Sequence, residues 1–175
     1  MTQRDFYDWQ TAGGGGEVVL LVEVLEARGI PWCMIGGLAV NHWAEEPMAT
    51  ADVDVVVATG RVDEAVQALE EAGFKASRFE WSINLKGRSA VSVQISTEPF
   101  YREFPARAVP AQVHGIAMRV ASLADTLAGK IQAWRDPQRR PSKRQKDLAD
   151  ILRLTEAHPE LREAIPADVC EKLGL

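Results

Sequence analysis

Apolar residues at helical spacing mark two segments in the first half of the chain. Within 17–28 they fall at i, i+3, i+4 and i+7 and share one face of a predicted amphipathic helix: Val18, Leu21, Val22 and Leu25. A second helix is predicted over 61–72, with an apolar face formed by Val62, Ala65, Val66 and Leu69. Gly29 and Gly73 follow these two segments, and glycine commonly ends a helix.

Shorter apolar and alternating runs predict the strands of a sheet. Residues 31–35 form a short apolar run, and 51–58 (ADVDVVVA) is the most strand-like segment of the chain. Residues 77–85 and 90–96 alternate with period two and are predicted to pair as a hairpin. A last strand is predicted over 112–120. The alternation predicts a common face of the first hairpin strand for Phe79, Trp81, Ile83 and Leu85.

The remaining segments complete an α+β pattern. A helix is predicted over 38–46, and beyond residue 121 the pattern is helical throughout. In that last part Ser122-Leu-Ala-Asp125 and Ser142-Lys-Arg-Gln145 have the form of helix starts with a reciprocal cap, and short helices are predicted over 158–164 and 166–173. We therefore expect a mixed β-sheet flanked by helices, with a helical C-terminal portion.

The chain is predicted to divide into three parts. The glycine-rich stretch TAGGGGE at 11–17 is typical of a flexible joint. Residues 1–16 are accordingly predicted to be a tail and a Gly-rich joint, 17–120 an α/β core, and 121–175 the helical C-terminal portion.

Composition and charge narrow the classes of protein. Of 175 residues 46% are hydrophobic and 26% charged, and no apolar run approaches the roughly 20 residues that a membrane helix needs. No secretory signal is visible, so a cytoplasmic location is expected, and two cysteines are too few for a disulfide framework or a Cys-rich zinc site. The net charge is −5, yet 130–153 holds eight basic and three acidic residues. This segment is suited to a phosphate-bearing ligand, although a solvated face has the same composition.

Two aspartates inside a predicted strand are the sharpest chemical feature. Asp52 and Asp54 flank Val53, so period two places both carboxylates on one face, with Cα atoms about 6.6 Å apart. That spacing lets both side chains converge on one divalent cation. The alternative is a pair of exposed aspartates on an edge strand.

Glycines and lysines supply candidate phosphate contacts. Gly36-Gly37 falls between a predicted strand and a predicted helix, where backbone N–H groups approach a phosphate, although ordinary tight turns also use such a pair. Lys130 is predicted to point along the apolar stripe of its helix, towards an anion in a cleft or outward to solvent from a groove edge. In the following helix, Lys143 with Asp147 and Lys146 with Asp150 are spaced as i,i+4 surface ion pairs, and Lys146 and Asp147 also remain candidates for a site.

These residues together resemble a known family. Gly36-Gly37-Leu-Ala-Val, followed by Thr50-Ala-Asp52-Val-Asp54-Val-Val-Val, is similar to the nucleotidyltransferase superfamily signature. Leu127-Ala-Gly-Lys130 and Arg144-Gln-Lys146-Asp147-Leu-Ala-Asp150-Ile151 resemble the AbiEii-type toxin branch, which includes the MenT-like tRNA-modifying toxins. The resemblance covers roughly residues 17–155.

The resemblance implies a reaction and its participants. A nucleoside monophosphate would pass from an NTP to an acceptor hydroxyl on RNA (including tRNA), a protein or a small molecule, and pyrophosphate would leave. An antitoxin protein is the implied partner, and no membrane is involved. The implied site consists of metal ligands, nucleotide contacts, positive charges and a base: Asp52 and Asp54 for Mg²⁺ or Mn²⁺, Gly36, Gly37 and Thr50 for the nucleotide, Lys130 and Lys146 for charge, and Asp147 as the base.

Two departures from the family pattern leave a second interpretation open. A third carboxylate is expected on a neighbouring strand, where this chain has Gln94, with Ser92 and Glu80 as substitutes under other alignments. An amide can ligate a metal but cannot act as a base. Met48 stands where the AbiEii-like branch tends to have arginine. The alternative is therefore a catalytically degenerate protein of this fold that binds nucleotide or a protein partner.

Overall fold

The computed structural model covers residues 1–175 and contains one seven-stranded sheet. The strands follow the predicted runs, with two of those runs each divided in two. They are β1 Trp32–Ile35, β2 Asp52–Val57, β3 Lys75–Arg78, β4 Ser82–Lys86, β5 Ser92–Ser96, β6 Val109–Val113 and β7 Ile116–Val120.

Seven α-helices flank the sheet. They are α1 Gln3–Thr11, α2 Gly14–Ala27, α3 Gly36–Trp43, α4 Val62–Glu71, α5 Leu123–Arg135, α6 Pro141–Ala157 and α7 Ala167–Leu173. Short 3₁₀ helices lie at Pro99–Tyr101, Pro105–Arg107 and Pro159–Ala164. No helix has the length and apolar composition needed to span a membrane.

The sheet is mixed, as the sequence predicts. Its strand order is β3-β4-β5-β2-β1-β7-β6. The central strand β2 runs parallel to β5 and antiparallel to β1, and β1 runs parallel to β7. Three antiparallel pairs, β3–β4, β4–β5 and β6–β7, complete the sheet.

The two larger of three hydrophobic clusters lie on opposite faces of the sheet. The larger has 25 buried residues and joins the inward positions of the strands, including Val53 and Val55, to α2 and α4. The second has 10 buried residues and holds α3, α5, α6 and α7 together, with Val40 and Ile151 among its members. The C-terminal helices therefore pack on the sheet through α3.

The glycine run is helical rather than a flexible joint. The N–H group of Gly14 donates to Thr11 Oγ1 at 3.0 Å and that of Gly15 to Asp8 Oδ1 at 2.7 Å, so side chains of α1 cap the first turn of α2. Tyr7 is buried, which anchors α1 to the core. Composition alone does not reveal these local caps. The domain boundaries predicted at residues 16 and 120 remain a prediction.

The predicted strands at 77–85 and 112–120 are each two strands. A turn after Arg78 separates β3 from β4, and it leaves Phe79 61% and Trp81 51% exposed. Those two aromatics therefore do not share the buried face of Ile83. His114 and Gly115 adopt positive φ angles of 51° and 73°, forming the turn between β6 and β7. The predicted cap at Ser142 is also wrong, because α6 begins at Pro141.

Candidate functional site

Strand β2 separates the hydrophobic core from a polar cleft. Val53, Val55 and Val57 point into the core, whereas the alternate positions 52 and 54 lie on the opposite face. In the parallel neighbour β5, Ser92 lies beside Asp52 and Gln94 beside Asp54. The register thus confirms Gln94 as the residue opposite Asp54 on the adjacent strand.

The turn between β1 and α3 packs directly on Asp54. Gly36 has a φ of +62°, which favours glycine, and a Cβ atom there would lie 2.5 Å from Asp54 Oδ2. A Cβ atom at Gly37 would lie 3.3 Å from Thr50 Cγ2. Only glycine at position 36 leaves this carboxylate in place. The first N–H groups of α3 therefore start close to it.

One cleft of about 610 Å³ brings several predicted site residues together. It is lined by Gly36, Asp54, Lys130 and Asp147, together with Gln94. The remaining predicted residues, Gly37, Thr50, Asp52 and Lys146, are not part of its lining. Of the alternative third carboxylates, Glu80 is exposed in the turn before β4 and does not line the cleft.

Lys130 is buried and bound by two carboxylates of α6. Its side chain is 7% exposed, and Nζ lies 3.2 Å from Asp147 Oδ1 and 2.7 Å from Asp150 Oδ2. A buried ammonium requires such anions to offset the loss of hydration. The Lys130 ammonium therefore does not extend to solvent and is not unpaired. Both of its partners are side chains of the protein.

Two arginines complete this ion cluster. Arg139 donates from Nε to Asp147 Oδ2 at 2.5 Å, and Arg153 Nη1 lies 2.9 Å from Asp150 Oδ1. Asp147 and Asp150 are 0% and 1% exposed, so the predicted surface i,i+4 pairs do not form. The helical spacing describes contacts within α6 alone, whereas Lys130 and Arg139 approach from outside it.

The two aspartates of β2 have different electrostatic surroundings. Burial alone would raise the pKa of Asp52, but an ion pair with Lys143 and the nearby Lys146 hold it below its ordinary value. Burial raises the pKa of Asp54, and the nearby Lys130 opposes this only in part. Asp54 is paired through its backbone with β1 and β5, but its carboxylate forms no hydrogen bond or ion pair in the protein.

The donor set fits a divalent cation in part. Asp52 and Asp54 offer hard carboxylate oxygens on one face, and the ammonium of Lys143 already contacts Asp52 where a cation would neutralise it. No group of three or more His, Cys, Asp and Glu side chains is placed to hold a metal ion. The two carboxylates would therefore need oxygens of a nucleotide or water to complete the coordination.

Sequence reasoning missed two residues of the cleft, Arg139 and Glu98. Arg139 lies in the loop between α5 and α6, and only the basic composition of 130–153 points to it. Glu98 follows Gln94 and Ser96 at period two, a signal that continues past the end of β5. Burial and the nearby Asp136 raise the pKa of Glu98, while the Gln132 amide opposes the increase.

At position 48, where the family pattern has an arginine, the backbone of Met48 is held by the side chain of Asn41. Met48 is 49% exposed, and its N–H donates to Asn41 Oδ1 at 2.9 Å. The Asn41 amide donates in return to the Met48 carbonyl, and Arg153 donates to Asn41 Oδ1 at 3.0 Å. Asn41 thereby holds the loop that leads to Thr50 without a cation facing the cleft.

Comparisons with known proteins identify the family and the fold. The sequence profile of the family described as "Nucleotidyl transferase AbiEii toxin, Type IV TA system" matches residues 19–173. Comparison with curated proteins gives no significant match.

Solved structures share the fold at low sequence identity. The lincomycin-bound lincosamide antibiotic adenylyltransferase LnuA is 13% identical, with a TM-score of 0.56, and the alignment covers 80% of this chain and 97% of that one. The antibiotic-resistance factor ANT(2'')-Ia is 15% identical, with a TM-score of 0.58 and coverage of 90% and 89%. A nucleotidyltransferase-like antigen of Paracoccidioides brasiliensis is 20% identical, with a TM-score of 0.58 and coverage of 90% and 87%.

Proposed function

The chain belongs to the AbiEii nucleotidyltransferase toxin family, and from this we propose that it transfers a nucleoside monophosphate from an NTP to an acceptor hydroxyl. The observation that carries the proposal is the convergence of Gly36, Asp54 and Lys130 in one cleft. The elements that place them (a β1–α3 turn, the central strand and α5) are distant in sequence. The family therefore supplies the reaction, and the cleft supplies a place for it.

In this proposal Asp52 and Asp54 hold Mg²⁺ or Mn²⁺. Nucleotidyltransferases generally use a divalent metal, which neutralises phosphate charge and positions the leaving group when bound. Asp54 is free to ligate because no side chain of the protein occupies its carboxylate, and Asp52 becomes free when Lys143 moves aside. Gln94 can add an amide oxygen but no charge.

The triphosphate would be bound by backbone and cationic groups around the cleft. The N–H groups at Gly36 and Gly37 begin α3 beside Asp54, and Thr50 packs against Gly37. Lys130 and Arg139 line the same cleft, and Lys146 lies near enough to Asp52 to influence its pKa. Asp147, which the resemblance implies as the base, could accept a proton only if binding of phosphate drew Lys130 and Arg139 away from it.

The family also implies the partners. We propose RNA (including tRNA), a protein or a small molecule as acceptor, an antitoxin as the regulating protein, and the cytoplasm as the place of action. A second candidate function, nucleotide binding without transfer, is favoured by one observation: Gln94 stands beside Asp54 where a third carboxylate would complete the metal site.

Transfer of α-labelled nucleotide tests these alternatives. Each NTP is supplied with Mg²⁺ or Mn²⁺, and total RNA, the protein itself and hydroxyl-bearing small molecules are offered as acceptors. The Asp52→Asn, Asp54→Asn double variant should lose transfer by at least ~100-fold, because both metal ligands are neutralised. Asp63→Asn is the matched control, since Asp63 lies on α4 with its side chain 88% exposed.

The outcomes separate the functions. Label on an acceptor with wild type and Asp63→Asn, but not with the double variant, supports the transferase. Mg²⁺-dependent NTP binding without label on any acceptor supports the binding protein instead. Mg²⁺-dependent binding that survives in the double variant would overturn the metal assignment.

A further inference from the structure

A second groove opens beside the cleft. It has a volume of about 470 Å³ and lies between α4, the β3–β4 turn and the segment after β5. Apolar side chains form much of its wall, among them Val57, Val62, Ile83 and the exposed ring of Phe79. Its size is within the range of small-molecule sites in proteins.

The groove and the cleft share two residues, Ser96 and Glu98. A molecule that enters along the groove therefore reaches the contents of the cleft at these side chains. Of these two residues, only Glu98 has a side chain that ionises. The junction is fixed by a hydrogen bond from the Thr97 N–H to the Trp81 carbonyl at 2.9 Å, which extends the pairing beyond the end of β5.

Glu98 has the surroundings of a free base rather than of a structural ion. Its side chain is half-buried and has no salt bridge in the protein. The groups around it are Gln132 from α5, Asp136 directly after α5, Tyr101 from the following 3₁₀ helix and Arg102 at the groove. Arg102 lies 3.5 Å from Glu103 instead, with both side chains mostly exposed.

The other carboxylates of the cleft are less suited to accept a proton from the acceptor. Both oxygens of Asp147 accept hydrogen bonds from Arg139, and one also accepts from Lys130. Asp54 is assigned to the metal, and Gln94 cannot accept a proton at neutral pH. Asp125 forms two hydrogen bonds with Arg107, at 2.9 and 2.8 Å, and Asp136 Oδ1 accepts the Gln138 N–H at 2.9 Å.

We propose that the acceptor enters through the second groove and that Glu98, at the junction, is the catalytic base that takes the proton of its hydroxyl. This rests on the proposed transfer function. The acceptor oxygen forms a bond to the α-phosphorus, and the bond from that phosphorus to the oxygen bridging to the β-phosphorus breaks. Pyrophosphate leaves with the bonding electrons, and the hydroxyl proton passes to the Glu98 carboxylate and then to solvent.

The proposal explains how Gln94 is compatible with an active enzyme. Position 94 lacks a carboxylate, but Glu98, four residues later and beyond the end of β5, lines the same cleft as Gln94 and Asp54. The metal ligands and the base are then divided between β2 and the end of β5.

The test compares Glu98→Gln and Glu98→Asp with Glu163→Gln as the matched control. Glu163 is an exposed glutamate that lines neither the groove nor the cleft. Each variant is assayed for transfer of α-labelled nucleotide to total RNA, to the protein, to small hydroxyl compounds and to water. Mg²⁺–NTP affinity is measured separately by calorimetry, and rates are recorded from pH 4.5 to 8.

We expect Glu98→Gln to lower kcat by about 10²- to 10⁴-fold while Mg²⁺–NTP affinity stays within about threefold of wild type. The wild-type rate should fall as pH falls through the raised pKa of Glu98, because the base is then protonated, and Glu98→Gln should lack this limb. Glu98→Asp should recover part of the rate with the limb present. Glu163→Gln should behave as wild type.

Other outcomes overturn the assignment. Transfer by Glu98→Gln within about threefold of wild type, or a loss confined to KM, removes Glu98 as the base. A wild type that binds Mg²⁺–NTP but transfers to no acceptor, water included, also overturns it and leaves the binding function standing. Absence of Mg²⁺–NTP binding in the wild type instead overturns the proposed function itself.

Discussion

On one face of the sheet, α2 and α4 cover a core of 25 buried hydrophobic residues, whereas on the other face α5 and α6 enclose Lys130, Asp147 and Asp150. The first face is stabilised mainly by removal of apolar surface from water. The second must also offset the desolvation of three charges, which it does through mutual ion pairs and the two arginines. The difference shows that the cleft side is organised around charge as well as packing.

The largest effect is expected when one buried side chain is replaced on each face of the sheet. Lys130→Met keeps a side chain of similar length but leaves Asp147 and Asp150 without their shared cation. This should lower the free energy of unfolding by about 3–5 kcal/mol. Leu69→Met, in the core under α4, conserves volume and should cost less than about 1.5 kcal/mol. Urea unfolding followed by tryptophan fluorescence measures both.

A double variant checks the cause of the Lys130 effect. In an Asp147→Asn, Asp150→Asn background the buried negative charges are absent, so Lys130→Met should cost much less there than alone. An equal cost in both backgrounds would contradict the ion-pair explanation.

A smaller effect is expected at the turn that joins the two faces. Gly36→Ala places alanine at a positive φ and brings its Cβ atom against Asp54 Oδ2. Gly29→Ala also places alanine at a positive φ, but no atom lies within 4 Å of its Cβ. Both should lose about 1–2 kcal/mol of stability. Only Gly36→Ala should also weaken Mg²⁺–NTP binding, because its Cβ atom displaces the Asp54 carboxylate; we expect a loss of about tenfold or more, equivalent to ~1.4 kcal/mol. Equal nucleotide affinity in the two variants would show that Gly36 has no part in the site.

The smallest effect is expected at the rim of the cleft. Lys143 forms an ion pair with Asp52 while about a third of its side chain is exposed, and pairs of this kind contribute less than about 1 kcal/mol. Lys143→Gln should therefore leave stability nearly unchanged and tighten Mn²⁺ binding by up to about fivefold, because the ammonium no longer competes for the carboxylate. Mn²⁺ titration followed by electron paramagnetic resonance measures this, with Lys75→Gln on β3 as control. Unchanged or weaker affinity would contradict competition at Asp52.

Features that depend on one segment are predictable from the sequence. The alternation in β2 predicts both the core valines and the common face of Asp52 and Asp54, because a strand has period two. The apolar stripe of α5 likewise predicts that Lys130 points inward. The family follows from the combination of these motifs, and the profile match confirms it.

Features that depend on contacts between segments are not predictable in this way. Asp147 and Asp150 have the spacing of surface ion pairs, and only the approach of Lys130 and Arg139 from outside α6 explains their burial. The alternation through Phe79 and Trp81 has the pattern of a buried strand, yet both side chains lie at a turn. Arg139 and Glu98 lie outside regular strands and α-helices, so the only sequence signals for them are a basic segment around Arg139 and a period-two spacing that continues past β5 to Glu98.

The alternation in β2 also has a consequence for folding fidelity. A slip of this strand by one residue against β5 would turn every side chain to the opposite face. Asp52 and Asp54 would then enter the hydrophobic core, and the valines would enter the cleft. A chain with the wrong register thus loses its stability together with its chemistry, so the fold does not offer a stable, misregistered and inactive form. The same six residues of β2 therefore determine the register of the strand, the stability of the core and the chemistry of the site.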